Sequence, residues 1–509
     1  MTDAHVIAII DDDPSLLRAL HRLVQSNGYT VESFASARDF LDASPRCRPV
    51  CLVLDVHLNG SGLELQKRLA ADGRAIPIIF ITGHDDDSTA INTVFAELKQ
   101  HGFATADLFQ GRISVHSTVD ERVQTIVNEA LERGLALYEQ RYPAAKGVIQ
   151  GSVVVLRNAD AAILAEAGGR QVYQSRRARY VDLNRATGSL RQPGSAWKPL
   201  VYLAAFRRNL TLDTMAPDEP ISVPMGADRP VKWIANYDNQ FKGPMPIRQA
   251  LAESRNAVAV WIIREIGLDQ VISTSREMGI RTPLQAHLTT ALGASEVRLL
   301  ELAGVYRAMA SGLLADPHII ARVTDASGSA LYEASGAAVA IDSTYLTLIQ
   351  EGLRGVIRLP AGTAHALDSR DFPVPVMGKT GTTSDFRDAL FVGSTYGPQG
   401  ITVAVRVGFD DNRALGEKET GGRTALPIFR EIMLRAYERQ LVGPVPQFPR
   451  EIELGIDQYL VRQATLEAER NTPPIEHLDA GSAMAGIAGE AGRSARSARG
   501  RGRHRAAGE

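Results

Sequence analysis

Three short segments, in this order along the chain, constrain its fold more than any other feature: Ser195-Ala196-Trp197-Lys198, Ser254-Arg255-Asn256 and Lys379-Thr380-Gly381-Thr382. Each alone is common by chance and compatible with helix caps, surface charges and a turn. Read together, they call for a fold that gathers a helix start, a loop and a strand around one reaction. Pro193-Gly194 suits a turn entering a helix, and positions i and i+3 of a helix share a face, so Ser195 and Lys198 can meet. A serine hydroxyl is a poor nucleophile until a base takes its proton. A lysine desolvated among other cations is neutral near pH 7 and can be that base. Backbone N–H groups at the helix start can hold a developing oxyanion. Ser254 offers a hydroxyl for proton relay, and Asn256 an amide that orients a peptide group. Lys379 follows the strand-like run Val374 to Met377. Gly378 and Gly381 leave room beside that strand for a substrate backbone, its edge can pair with an extended peptide, and Lys379 can hold a carboxylate.

The surrounding pattern is α+β. Ile113 to His116 reads as a strand, and 118–140 as a helix opened by Thr118 or Asp120. Val153 to Leu156 and Ala161 to Glu166 read as a hairpin around Asn158-Ala159-Asp160. Helices are predicted at 197–207, 246–266, 297–312 and 344–354, and strands near 374–379, 389–395 and 401–408.

Residues 1–85 have another rhythm. Val6 to Ile10, Tyr29 to Val31, Val50 to Leu54 and Ile76 to Ile81 are short strand-like runs. They alternate with helical spacing at 15–26, 36–41 and 63–69, which predicts a parallel α/β sheet. Asp11 and Asp12 end the first strand, Asp55 the third and Thr82 the fourth, and ligands gather at the carboxyl ends of such strands. Asp11, Asp12 and Asp55 could hold Mg²⁺, a hard cation suited to oxygen ligands and phosphate. Asp55 could then accept a phosphoryl group bonded by Thr82. Residues 86–112 show no regular rhythm.

Charge and cysteines narrow the classes further. With 56 basic and 58 acidic residues the net charge is −2, so no pull toward nucleic acid or anionic lipid is expected. Cys47 and Cys51 make neither a disulfide framework nor a four-cysteine zinc site. No apolar run approaches the roughly 18 to 20 residues of a membrane span, and the polar start Met1 to His5 shows no secretory signal. The Arg-rich segment 470–509 is too polar to offset ordering entropy and is expected to be a disordered, solvated tail.

The segment Gln192-Pro193-Gly194-Ser195-Ala196-Trp197-Lys198-Pro199, with Ala252 to Asn256, Gly378 to Thr383, Arg387 to Gly393 and Thr420 to Phe429, resembles the transpeptidase region of class A penicillin-binding proteins over residues 95–440. Leu390 stands where that family commonly has tryptophan, and Arg255 at the middle of the second motif is usual there. The resemblance implies a serine β-lactamase-like α+β fold. It also implies a DD-transpeptidase or carboxypeptidase with no cofactor, acting on D-Ala–D-Ala stem peptides of peptidoglycan and acylated by β-lactams. Ser195, Lys198, Ser254, Asn256 and Lys379 would be catalytic, and Thr380, Gly381, Thr382 and Thr383 would bind substrate. The backbone N–H groups of Ser195 and Thr382 would form the oxyanion hole. No residue is assignable as a deacylating glutamate, which makes a β-lactamase the weaker reading. Neither the glycosyltransferase domain nor the membrane anchor that usually precedes this region is recognisable.

Ile10 to Ser15 and Phe80 to His84 give residues 5–85 a resemblance to response-regulator receivers, a flavodoxin-like α/β fold phosphorylated by a histidine kinase. The resemblance stops before the fifth strand and its phosphate-binding lysine, Lys99 being the lysine nearest in sequence. A receiver cut there is expected to expose apolar sheet. The expected organisation is a truncated receiver at 1–87, a linker at 88–149, the transpeptidase at 150–440, an extension at 441–469 and the tail at 470–509. An alternative is a phospho-acceptor signalling protein whose C-terminal module only binds β-lactams or muropeptides. The two resemblances point to different compartments: the transpeptidase implies the periplasmic side of the inner membrane, and the chain as written reads as cytoplasmic.

Overall fold

The computed structural model describes residues 6–43, 49–55, 58, 62–74, 76–81, 87–170, 183–224, 231–336 and 338–471. Thr82, Cys47 and the segment 472–509 lie outside these residues. Residues 1–458 form one compact unit.

The N-terminal elements are β1 (Val6–Ile10), α1 (Pro14–Ser26), β2 (Thr30–Phe34), α2 (Ala37–Ala43), β3 (Cys51–Asp55), α3 (Gly62–Ala71), β4 (Ile78–Ile81), α4 (Asp87–Gln100) and α5 (Thr105–Phe109). The sheet has order β2-β1-β3-β4 and is parallel throughout. β1 and β3 are apolar on both faces because helices cover both faces. Ile7, Ile9 and Val53 pack with Leu16, Leu20 and Val24 of α1, while Ala8, Ile10, Leu52 and Leu54 pack with Phe40, Leu65 and Leu69.

The sequence shows no evident rhythm over 86–112, yet residues 87–109 of it are largely helical, in α4 and α5. Ile91 and Phe95 of α4 pack against the α1 side of the sheet, so one expected exposure of apolar sheet does not occur. β5 (Ile113–Ser117) does not extend this sheet but joins another.

α6 (Glu121–Arg141) starts at Asp120, whose carboxylate accepts from the backbone N–H of Arg122 and Val123. There follow β6 (Gln150–Arg157), β7 (Ile163–Ala167), α7 (Lys198–Phe206), β8 (Met215–Asp218), β9 (Ile221–Val223), β10 (Lys232–Ile234) and β11 (Gly243–Pro246). Then come α8 (Ile247–Ala252), α9 (Asn256–Ile266), α10 (Leu268–Glu277), α11 (Leu299–Ser311), β12 (Leu313–Leu314), β13 (Ile320–Asp325), β14 (Ala330–Glu333), β15 (Val339–Ala340) and α12 (Ser343–Arg358). β16 (Met377–Thr382), β17 (Asp388–Ser394), β18 (Ile401–Gly408), α13 (Gly421–Thr424), α14 (Leu426–Glu438) and α15 (Arg450–Asn471) complete the chain.

The central sheet is antiparallel, in order β16-β17-β18-β6-β7. α6 and α14 cover one face, and α11 packs on β6 and β18. β16 lies at the edge. The single helix expected over 246–266 is two helices, broken at Glu253–Arg255, because Ser254 takes φ +61°. β5, β13 and β14 form a small separate sheet.

Candidate active site

Ser195 sits in a 3-10 turn, Gly194–Trp197, and α7 begins at Lys198. Tyr306 of α11 anchors the turn, its hydroxyl donating to Ala196 O at 2.7 Å. The turn also lies directly on β16. Gly194 has φ +53°, and a Cβ there would stand 2.4 Å from Thr382 O. A Cβ on Gly381 would stand 2.7 Å from Pro193 O. Only glycine allows both the left-handed backbone and this approach. Ser195 is half-buried, while Ala196 and Trp197 are buried.

Lys198 is fully buried. Its Nζ lies 2.5 Å from Ser254 O, 2.7 Å from Asn256 Oδ1 and 3.1 Å from Ser254 Oγ. Burial, with Lys379 and Arg255 adding to it and Asp218 opposing, pushes this amine well below the ordinary lysine range. The three contacts suit a neutral amine: two acceptors take its N–H groups, and the Ser254 hydroxyl can donate to its lone pair. They suit the protonated form equally, as three acceptors. A base that must take and return one proton needs that tolerance.

The second motif is held by a network that spans nearly forty residues of sequence. Arg255 donates to Asp218 at 2.9 Å and to Asp238 at 2.8 Å. Asn236 donates to Asp218 at 2.7 Å and accepts from Asn256 N at 2.7 Å. The Asn256 amide in turn donates to Ala235 O at 2.8 Å, which points its oxygen at Lys198. Asp218, Asn236 and Asp238 carry no motif signal; only the contacts of Asp218 and Asp238 with Arg255, and of Asn236 with Asp218 and Asn256, reveal them.

Lys379 is fully buried, with Nζ 3.3 Å from Thr380 O and 3.4 Å from Thr380 Oγ1, and burial pushes it down to about 7. The Thr380 hydroxyl donates to Thr363 Oγ1 at 2.8 Å. Thr382 Oγ1 accepts from Gly421 N at 3.2 Å. The Thr383 hydroxyl accepts from Asp388 N at 2.8 Å and so closes the β16–β17 hairpin. Ser195, Lys198, Ser254, Asn256 and the strand Lys379–Thr382 therefore converge on one cleft.

A second cluster lies in the N-terminal sheet. Carboxylate oxygens of Asp11, Asp12 and Asp55 are all within 4.8 Å of one another. Burial, with Asp55 and Asp12 adding and the hydrogen bond from Asp13 N opposing, pushes Asp11 up to about 7. Asp11 Oδ2 is buried without a hydrogen-bond partner. An oxygen-only set, buried at Asp11 and Asp55 and exposed at Asp12, with one unpartnered oxygen on Asp11, fits a hard divalent cation.

Comparison with known proteins assigns both parts of the chain to families. The penicillin binding protein transpeptidase domain family matches residues 151–434, and the response regulator receiver domain family matches residues 7–102. Penicillin-binding protein 1A of Neisseria flavescens is 32% identical over 331 residues, covering 63% of this chain and 40% of that protein. The Neisseria gonorrhoeae protein of the same name is 33% identical over 296 residues, covering 56% and 36%. The matched part of this chain thus spans about two fifths of these relatives. Penicillin-binding protein 1A from Haemophilus influenzae has the same fold, with a TM-score of 0.61 at 22% identity, over 71% of each chain. PonA1 from Mycobacterium tuberculosis, solved in complex with penicillin V, has a TM-score of 0.57 at 21% identity, over 72% of this chain and 96% of that one.

Proposed function

This chain belongs to the penicillin-binding protein transpeptidase family, and from that premise we propose that it is a serine acyltransferase acting on D-Ala–D-Ala stem peptides of peptidoglycan. The observation that carries this reading is the buried Lys198 amine, held by Ser254 and Asn256 one turn from Ser195. Lys198, neutral before reaction, takes the Ser195 proton as Oγ attacks the penultimate D-alanine carbonyl. The developing oxyanion lies between the backbone N–H groups of Ser195 and Thr382, whose segments are in contact. Collapse breaks the peptide bond, and the proton passes through Lys198 and Ser254 to the departing D-alanine amine. The amine of a second stem peptide, or water, then attacks the ester and restores Ser195. The donor peptide pairs with the free edge of β16, and protonated Lys379 meets its terminal carboxylate. This chemistry belongs in the cell envelope, where peptidoglycan is assembled. Among the described residues no helix is long and apolar enough to cross a membrane.

Labelling by a fluorescent penicillin tests the reading. The unmutated chain should be labelled covalently and Ser195→Ala should not; labelling that persists in Ser195→Ala refutes the assignment.

The N-terminal cluster supports a second activity. Asp11, Asp12 and Asp55 would hold Mg²⁺, which would neutralise charge on a phosphoryl group transferred from a histidine kinase to Asp55. The buried, unpartnered Asp11 Oδ2 is the observation in its favour. Acetyl phosphate with Mg²⁺ should phosphorylate the chain but not Asp55→Asn; an equal yield from both removes Asp55 from this role.

A further inference from the structure

Two large aromatic side chains stand in solvent beside the cleft. Trp233 is 65% exposed and Tyr237 63% exposed. Exposure alternates between them: from Trp233 to Tyr237 the odd-numbered residues are exposed, while Ile234 and Asn236 are buried. Val231, 52% exposed, continues the row outward. Its inner end meets the catalytic residues. Ala235 O receives the Asn256 amide. The Tyr237 ring contacts Phe386 edge-on, with centroids 6.1 Å apart. Phe386 follows the catalytic strand and is held at φ +53° after Asp385 at φ +59°. Neither residue is glycine, so this turn is strained in order to present that ring. The row thus begins beside Phe386 and Asn256 and spans up to about 13 Å from Tyr237 to Trp233, at ~3.3 Å per extended residue.

Exposed rings of this size need a use. A buried tryptophan or tyrosine removes ~150–250 Å² from water, so the exposed parts of these two offer roughly 200–300 Å². That is well short of the ~800 Å² per partner of a stable protein interface. It is enough for a small amphipathic ligand whose C–H face lies on a ring and whose hydroxyls stay in water. Most of the charge nearby is engaged elsewhere, Arg255 with Asp218 and Asp238 and Lys242 with Glu253, while Lys232 stands exposed beside Trp233. The two rings therefore offer mainly apolar stacking, with Lys232 beside them as a donor for hydroxyl groups.

We infer that Trp233 and Tyr237 form a stacking platform for the sugar that carries the stem peptide. This rests on the transpeptidase reading above and adds its specificity: the enzyme acylates a glycan-borne peptide in preference to the bare peptide. Trp233 stacks a sugar face, and the Tyr237–Phe386 pair fixes where the peptide leaves the cleft.

The test compares D-alanine release from a disaccharide pentapeptide and from the free pentapeptide, both ending in D-Ala–D-Ala. The unmutated chain should favour the glycosylated substrate in kcat/KM by about tenfold, equivalent to ~1.4 kcal/mol. Trp233→Ala should bring that ratio close to one, Trp233→Phe should keep most of it, and Tyr237→Ala should lower it. An unmutated chain that treats both substrates alike overturns the platform, as does a ratio that Trp233→Ala leaves unchanged. Fluorescent penicillin is run on the same samples. Labelling of the unmutated chain without a sugar preference overturns the platform alone; no labelling at all overturns the platform and the transpeptidase reading together.

Discussion

Replacing Glu97 by alanine should unfold the transpeptidase region more easily, although Glu97 lies in a helix that also covers the N-terminal sheet. Its carboxylate accepts from Ile319 N at 2.7 Å and Ile320 N at 3.1 Å, and both isoleucines are fully buried. The same helix presents Ile91 and Phe95 to the receiver core. In Glu97→Ala two buried N–H groups lose a charged acceptor. At about 1–3 kcal/mol for each orphaned donor, and with partial relaxation, the loss is about 2–5 kcal/mol, a large share of the ~5–15 kcal/mol that holds a domain folded. All three tryptophans, Trp197, Trp233 and Trp261, lie in the transpeptidase region. Their fluorescence during urea unfolding therefore reports on that region and not on the receiver. A loss of about 3 kcal/mol at an m-value of ~3 kcal/mol/M moves the midpoint down by about 1 M. Glu97→Gln should shift it less, because one acceptor oxygen remains. If the tryptophan transition of Glu97→Ala stays within 0.1 M of the unmutated chain, about a tenth of the expected shift, then α4 is not a working part of the transpeptidase and the argument is wrong.

Other substitutions probe the cleft. Gly194→Ala, which must fit a Cβ 2.4 Å from Thr382 O at φ +53°, should slow penicillin acylation by about 10²–10³-fold through displacement of the oxyanion donors; a rate within threefold of the unmutated chain counts against the close approach. The pH profile of acylation should fall as pH rises through about 7, because Lys379, pushed down to about 7 by burial, then loses the charge that holds the carboxylate. Lys379→Arg should flatten this alkaline limb when each profile is normalised to its own maximum, and an unchanged limb would assign it to another group. Glu166 is buried between Asn184 and Thr93, and burial raises it to about 7. A carboxyl raised in the folded state contributes stability that is present below about 4.5 and lost as pH rises through about 7, a swing of about 3 kcal/mol. Glu166→Gln should therefore gain stability relative to the unmutated chain at pH 8 but not at pH 4.5, read as the difference in urea midpoints at the two values.

How much of this was legible beforehand depends on how local each interaction is. Ser195 and Lys198 are three residues apart at a helix start, and the strand bearing Lys379 is announced by Val374 to Met377 and its glycines, so the groups proposed to react and the N-terminal βα rhythm could be read directly. The support for the second motif could not. Asp218, Asn236 and Asp238 lie 17 to 37 residues before Arg255 and gain meaning only when its guanidinium binds the two carboxylates. The break at Ser254 was hidden for a related reason: 246–266 keeps helical spacing throughout, and the positive φ that interrupts it is imposed by placing a hydroxyl and a carbonyl on Lys198.

α4 is the sharpest case. Its residues serve two partners, apolar Ile91 and Phe95 facing the receiver sheet while polar Thr93 and Glu97 bond to Glu166 and to the start of β13. A helix divided between two cores shows no single wide apolar stripe, which is why 86–112 looked irregular. The family matches divide it as well: the receiver match runs to residue 102, through the whole of α4, and the transpeptidase match starts at 151. A boundary drawn at residue 87 would cut the Glu97 and Thr93 contacts away from the receiver core that positions them. The physical junction is therefore a shared helix, and a change in the packing of α1 or β3 against Ile91 and Phe95 has a direct route to β7 and β13 of the catalytic region.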